Sequence, residues 1–425
     1  MKKINKDLKT YLLLWGTQSI SALGSGLTGY SLVLLLYTQS GSALQTALLS
    51  VCSYAPYVIM SIFAGALSDR WNKKKIMLFC DFAAALSTVI VLFLIKTGNL
   101  EVWHLYLINA LNGLMNTVQQ PAAEVSATML IPKEHYQRTS GLRSFSQSLN
   151  TILTPVIATA LFTLTGIEVV IAVDLSTFAI AFLTLLFIRI PEPPKTDEIK
   201  ESLIASAKSG LSWLRKNPII LNLILFLASI NLVASVYDAV LPAMIISKSG
   251  ETALGIVNTC VGIASLLGSV LTTVLPSPKN RVRAICLSLF ISMSTENFIL
   301  AFGGNVLLWS IGAVLGWITI PYMNGNMDVI FRGTIPADMQ GRVYACRNAL
   351  QFFTIPLGFF LGGVLVDEVF EPLMVGESTD SFLSLLFGTG KGSGASFLFF
   401  CIGIAGVAVC AVFWFILRKY RFDKE

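Results

Sequence analysis

Charge is scarce in this chain. Asp, Glu, Lys and Arg supply 13% of its 425 residues, and there are only two histidines. With 54% hydrophobic residues and a mean hydropathy of +0.72, that scarcity excludes an ordinary soluble domain. His104 and His135 fall on opposite sides of the expected membrane, which excludes a histidine metal cluster and a Ser-His-Asp triad. Seven cysteines lie in or beside apolar segments with no Cys-x-x-Cys spacing, so neither a disulfide framework nor a metal site is expected. A phosphate-cradling loop is missing too. The nearest run, GTGKG from Gly388 to Gly392, lacks the spacing and the Ser or Thr after lysine. An ATP-driven pump and a membrane enzyme are therefore set aside, and no cofactor is expected. The absence of an Asn-x-Ser/Thr sequon favours a bacterial membrane.

What the chain has in quantity is apolar runs. A membrane helix takes about 20 residues, and twelve candidate spans can be drawn: 11–37, 43–67, 76–96, 102–130, 141–165, 167–189, 218–247, 252–275, 284–302, 306–332, 343–367 and 395–417. All but Lys96, Lys248 and Lys391 of the 30 Lys and Arg then fall on one side. The positive-inside rule makes that side cytoplasmic and places both termini there. The net charge of +6 is thus a topology signal, with no nucleic-acid partner implied. Met1 to Thr10 leads into an apolar run too long for a signal peptide, so an uncleaved first span is expected.

Two segments match without a gap at an offset of 204 residues, IPKEHYQRTSGLRSFSQ from Ile131 and IPADMQGRVYACRNALQ from Ile335. Ile131/Ile335, Pro132/Pro336, Arg138/Arg342, Arg143/Arg347 and Gln147/Gln351 coincide. Each segment leaves the fourth helix of a half and enters the fifth, which divides the chain into two six-helix halves. Residues 1–190 form the first bundle and 218–425 the second. Residues 191–217 form a cytoplasmic linker whose amphipathic part, near Leu203 to Trp213, is expected on the membrane surface. The Gly/Ser-rich segment 368–394 is expected to be a mobile outer loop.

The loop GALSDRWNKKK, from Gly65 to Lys75, resembles the loop between helices 2 and 3 of the major facilitator superfamily. It departs at Ser68 and at Asn72, where the family prefers glycine; asparagine is expected to take the left-handed turn. The segments SYAPYVIMSIFAGALSDR, QQPAAEVSATMLIP, VIAVDLSTFAIAF, RIPEPP and GRVYACRNAL look like the drug:proton antiporter branch that includes macrolide-efflux proteins. The resemblance implies an all-α membrane protein of 12 transmembrane helices in two pseudo-symmetric six-helix bundles, a monomer in the bacterial plasma membrane. It implies proton-coupled export of a small lipophilic substrate, with the proton gradient as energy source and protons as the second partner. The same branch holds lysophospholipid and siderophore transporters, and a non-transporting receptor is a further alternative.

Ionisable groups at membrane depth are functional candidates. In the family, helices 1, 4, 7 and 10 line the cavity while 3, 6, 9 and 12 are peripheral. That ranks Asp238, Glu124 and Asp328 as candidates for proton coupling. Asp238 lies ten residues before Lys248, about 15 Å below the surface. Asp328 has Arg332 four residues on, in favourable order for an ion pair. Asp174 and Glu296, on peripheral helices, are ranked lower, and Asp174 reads as structural. Gly65, Asp69, Arg70, Lys73, Lys74, Asp81, Arg138, Arg143, Arg342 and Arg347 are assigned to a conformational gate, with Asp81 expected to pair with the basic loop and Asp69 to cap helix 11. Gln18, Asn112, Asn116, Gln120, Asn231, Tyr237, Tyr322 and Asn324 are candidate cavity residues. Gly24, Gly26 and Gly29 are expected to serve helix packing.

Overall fold

In a bilayer each backbone N–H and C=O must be satisfied within its own segment, so an apolar chain of this kind folds as helices. The computed structural model describes residues 6–131, 136–190, 203–336, 339–378 and 380–419; the side chains of 6, 7, 61–70, 128, 136–138, 140, 141, 144, 203–207, 340, 341 and 345 lie outside that description. Every regular element among the described residues is helical. The order is α1 (Lys6–Ser40), α2 (Ala43–Arg70), α3 (Lys73–Lys96), α4 (Val102–Leu130), α5 (Tyr136–Thr165), α6 (Ile167–Phe187), α7 (Leu203–Lys216), α8 (Pro218–Val274), α9 (Arg281–Phe302), α10 (Val306–Trp317), α11 (Ile320–Thr334), α12 (Gln340–Phe352) and α13 (Thr354–Val364). A π-helical stretch, Leu365–Phe370, leads into α14 (Glu371–Val375), α15 (Phe382–Phe387) and α16 (Ser393–Leu417).

Ten helices are long and apolar enough to cross a membrane among the described residues. Two physical reasons bring the spans to twelve. The 57 residues of α8 would run about 85 Å, far beyond a hydrocarbon core of about 30 Å. Gly250, at φ +79°, breaks α8 into two spans, a conformation glycine adopts without steric cost. The 29-residue α4 is long enough but carries Asn109, Asn112, Asn116, Gln119, Gln120 and Glu124, which lower its hydropathy.

Proline sets two further breaks. Its ring clashes with the carbonyl four residues back and it lacks an N–H. Four residues before Pro321 is Trp317, where α10 ends; four before Pro356 is Phe352, where α12 ends. A threonine beside each break bonds one carbonyl of the preceding turn and one of a neighbouring helix. Thr319 Oγ1 donates to the Ser288 and Gly316 carbonyls, at 3.0 and 3.3 Å. Thr354 Oγ1 donates to those of Ala228 and Gln351, at 2.9 and 3.1 Å.

The chain divides into two compact units, Met1–Leu35 with Cys52–Leu203, and Leu36–Val51 with Ile204–Glu425. In the first, Leu8, Tyr11 and Leu14 of α1 pack with Ile76, Met77 and Cys80 of α3, Val118 and Ala122 of α4, and Leu185 of α6. Gly24 lets α1 approach α6, where Ser25 Oγ donates to Asp174 Oδ1 at 3.0 Å. At Gly29 a Cβ would meet nothing within 4 Å among the described residues, so no close helix approach there calls for glycine. In the second unit Trp309, Phe226, Phe331 and Phe399 are the largest wholly buried side chains.

Three expectations are corrected. Asn72 keeps φ −62° and serves as the N-cap of α3, its Oδ1 accepting the Lys75 N–H at 2.9 Å; a short polar side chain suits that role without a left-handed turn. The described residues of 368–394 include the helices α14 and α15. Ser381 caps α15, Phe387 is buried and stacks on Phe302 and Phe397, and Glu371 caps the start of α16 through the Gly392 and Ala395 N–H groups. The linker helix α7 docks on protein as well. Leu214 is fully buried, and Gly210 brings α7 against the Arg342 carbonyl on α12.

Candidate functional site

Each unit contains a cavity of its own. The first, about 260 Å³, lies among α1, α3, α4 and α5. Gln18, Gln120, Glu124 and Arg143 line it, with Gln147 and Asn150 from α5 and apolar walls from Leu14, Trp15 and Met77. Arg143 Nη2 donates to Glu124 Oε1 at 3.5 Å, and both side chains are about half exposed. Beside it Asp81 does not turn to the basic loop. It accepts from Gln119 Nε2 at 2.5 Å and Gln18 Nε2 at 3.3 Å, because two amides from α4 and α1 reach it within the bundle.

The second cavity, about 210 Å³, lies among α8, α9, α10 and α11. At its wall sits Glu296, 3% exposed. Its Oε1 accepts from the Tyr237 hydroxyl at 2.5 Å and from Trp317 Nε1 at 3.0 Å. Gly316 makes room, since a Cβ there would collide with the Glu296 side chain. Gly312 and Gly316 form a Gly-x-x-x-Gly stripe that lets α10 lie close on α9. Asn231, Asn297, Asn324 and Gln351 supply the remaining polar wall, among Leu227, Ile230, Met293 and Met323. Among the described residues the carboxylate therefore faces neutral donors and no cation in this cavity. Charge-assisted hydrogen bonds of this kind are shorter and about twice as strong as neutral ones.

The sequence-derived candidates distribute as follows. Gln18, Gln120 and Glu124 meet in the first cavity, and Asn231, Tyr237 and Asn324 in the second. Asn112 and Asn116 continue the line of Gln120 along α4 at four-residue intervals, outside both cavities. Tyr322 also lies outside both. Asp238 and Asp328 are exposed on their helices. Asp328 forms no ion pair with Arg332 among the described residues; its electrostatic partner is Arg347 on α12. Arg347 itself donates to Gln351 Oε1 at 3.1 Å and lies over the Phe331 ring at 4.6 Å. Lys73 Nζ donates to the Trp71 carbonyl at 3.2 Å, and Lys74 Nζ to the Leu186 carbonyl at 2.8 Å, at the C-terminal end of α6. Arg342 lies near Met339, 3.9 Å from Nη1 to Sδ. The side chains of Gly65, Asp69, Arg70 and Arg138 fall outside the described residues. Sequence alone ranks Glu296 low, because it places the ninth helix at the periphery. The signal that could have found it is a lone carboxylate in an apolar run whose neighbouring helix carries Gly312 and Gly316.

Comparison with known proteins agrees with this architecture. The Major Facilitator Superfamily model matches residues 14–285. The chain belongs to the major facilitator superfamily. Macrolide efflux protein A of Streptococcus pyogenes is 23% identical over 375 residues, covering 87% of this chain and 92% of that protein. The multidrug efflux pump Tap of Mycolicibacterium fortuitum is 23% identical over 355 residues, 81% of this chain and 86% of that protein. A crystal structure of the nucleoside transporter NupG shares the fold, with a TM-score of 0.69 at 13% identity, over 97% of this chain and 100% of that one. The molecule is thus a multi-pass membrane transporter of this superfamily, similar to macrolide and multidrug efflux proteins.

Proposed function

We propose that this transporter exports macrolide-like or other lipophilic drugs in exchange for protons, by alternating access in a bacterial plasma membrane, with both termini cytoplasmic. The cargo class rests on the macrolide and multidrug efflux relatives. The coupling reading rests on one observation, the buried carboxylate of Glu296 held between the Tyr237 hydroxyl and the Trp317 indole in a cavity whose other polar side chains are uncharged. A proton exchanger needs a carboxylate that can hold a proton in a dry site and release it when water arrives. Glu296 has that setting, and Asp238, next to Tyr237 in the chain and exposed, is the neighbouring group to pass the proton on. Asn112, Asn116 and Gln120 form a polar line suited to a cargo that is mostly apolar.

Everted, respiring vesicles test the reading. Adding macrolides, other lipophilic drugs and lysophospholipids in turn, the pH gradient is expected to collapse with a drug in wild type and to hold in Glu296→Gln. Collapse in Glu296→Gln at the wild-type rate would remove Glu296 from coupling. A response to lysophospholipid alone would replace the drug cargo by a lipid.

A further inference from the structure

The turn between α1 and α2 is bound by a carboxylate from far along the chain. Asp367, in the π-helical stretch Leu365–Phe370, accepts the Ala43 N–H at 3.0 Å through Oδ1. Its Oδ2 accepts the Leu44 N–H at 2.9 Å and the Ser42 hydroxyl at 2.5 Å. These N–H groups open α2, where the helix itself supplies no partner and a negative charge is favoured. Ser42 already serves as a local cap, its Oγ accepting the Gln45 N–H at 3.0 Å. Asp367 is thus a second cap, delivered from another element.

The surroundings are shaped for this contact. Gly363, one turn before Asp367, brings its backbone onto Leu44, with a Cβ position 2.5 Å from the Leu44 Cα. Tyr37, at the end of α1, donates to the Ala243 carbonyl at 2.9 Å and shares a hydrogen bond with Ser247 at 2.7 Å. Ala47 packs on Ala239 and Phe359. Buried Tyr37 and Ala47 pack there beside the polar contacts made by Asp367. Asp367 is partly exposed, so water can take over its donors when the contact opens. A single π-turn within a helix is most often found where function requires it.

We infer that Asp367 is a releasable latch: its carboxylate holds the Leu36–Val51 hairpin against the rest of the second unit in one state of the transport cycle and lets go in the other. The role rests on the alternating-access reading above.

The test uses the full-length protein purified in detergent. Ala43→Cys leaves the backbone N–H in place and reports opening through maleimide labelling, read at that position by mass spectrometry so that the native cysteines do not interfere. Adding Asp367→Asn or Asp367→Ala is expected to raise the labelling rate about tenfold, since hydrogen bonds to a charged group are lost. An unchanged rate in both would overturn the latch. In a second arm, run in everted, respiring vesicles, Ser42→Cys/Asp367→Cys is oxidised to a disulfide. Drug-driven collapse of the pH gradient is expected to stop and to return with reductant; full activity while cross-linked would make the contact static and overturn the inference. If the unmodified protein moves no drug, the export reading fails, and the labelling arm still decides the latch.

Discussion

Each half of the chain holds a carboxylate on its third span, and the two are kept in different ways. Asp81 on α3 takes its hydrogen bonds from α1 and α4, the first and fourth spans of the first half, through the amides of Gln18 and Gln119. Glu296 on α9 takes its own from α8 and α10, the equivalent spans of the second half, through Tyr237 and Trp317. The scaffold is repeated; the chemistry is not. Asp81 lies near the start of α3, close to the basic loop and beside a cavity that contains the Glu124–Arg143 pair. Glu296 lies deep in α9, beside a cavity without a cation. The repeat-related arginine, Arg347, is drawn off to Gln351 and the Phe331 ring. The comparison teaches that a repeated bundle can give one half a polar wall with an ion pair and the other a buried carboxylate among uncharged donors by changing a few side chains, and the proposed coupling assigns the proton to the second.

If that division is right, the largest effect belongs to Glu296→Gln, which should abolish drug-driven proton movement while the protein stays folded. Tyr237→Phe comes next. It removes one of two donors to a buried carboxylate, a loss of about 1.5–3 kcal/mol, and should slow drug-driven proton release by about tenfold or more. Wild-type rates in Tyr237→Phe would place the proton elsewhere. Gln119→Leu is the matched change in the first half. Asp81 keeps Gln18 and is partly exposed, so water can replace the lost donor; the expected result is a stability loss of about 1 kcal/mol, seen in thermal unfolding, with transport slowed far less than by Tyr237→Phe. Equal slowing by the two would erase the difference between the halves.

Much of the architecture was legible in the sequence, because apolar length, basic loops and the Ile-Pro repeat act locally. The Gly250 break within α8 separates spans that the hydropathy already divides near residue 250. The breaks at Pro321 and Pro356 follow from proline geometry alone. Side-chain partners were less legible. Asp328 and Arg332 have good helical spacing, yet Arg347 from another helix is the electrostatic partner of Asp328. Asp81 has three lysines near it in sequence but is reached first by two glutamines. Segment 368–394 reads as mobile by composition, whereas Phe387 and Glu371 fasten it through contacts with residues that composition does not reveal. Glu296 was ranked by helix number, and helix number says nothing of which way a side chain turns.

Arg143 gives the finest division between the halves. Its contact with Glu124 is 3.5 Å long, with side chains 45% and 52% exposed, so solvent screens it and the pair contributes about 0–1 kcal/mol. Arg143→Gln should leave thermal stability nearly unchanged. If the pair is a gate, it matters through its making and breaking between states, and the substitution should alter transport rate while leaving the drug affinity of the resting protein alone. If Arg143 instead only keeps the first cavity wet, both rate and affinity should stay near wild type. Measuring drug binding and vesicle transport on the same variant separates the two, and a loss of affinity with unchanged rate would make Arg143 part of the drug-binding wall.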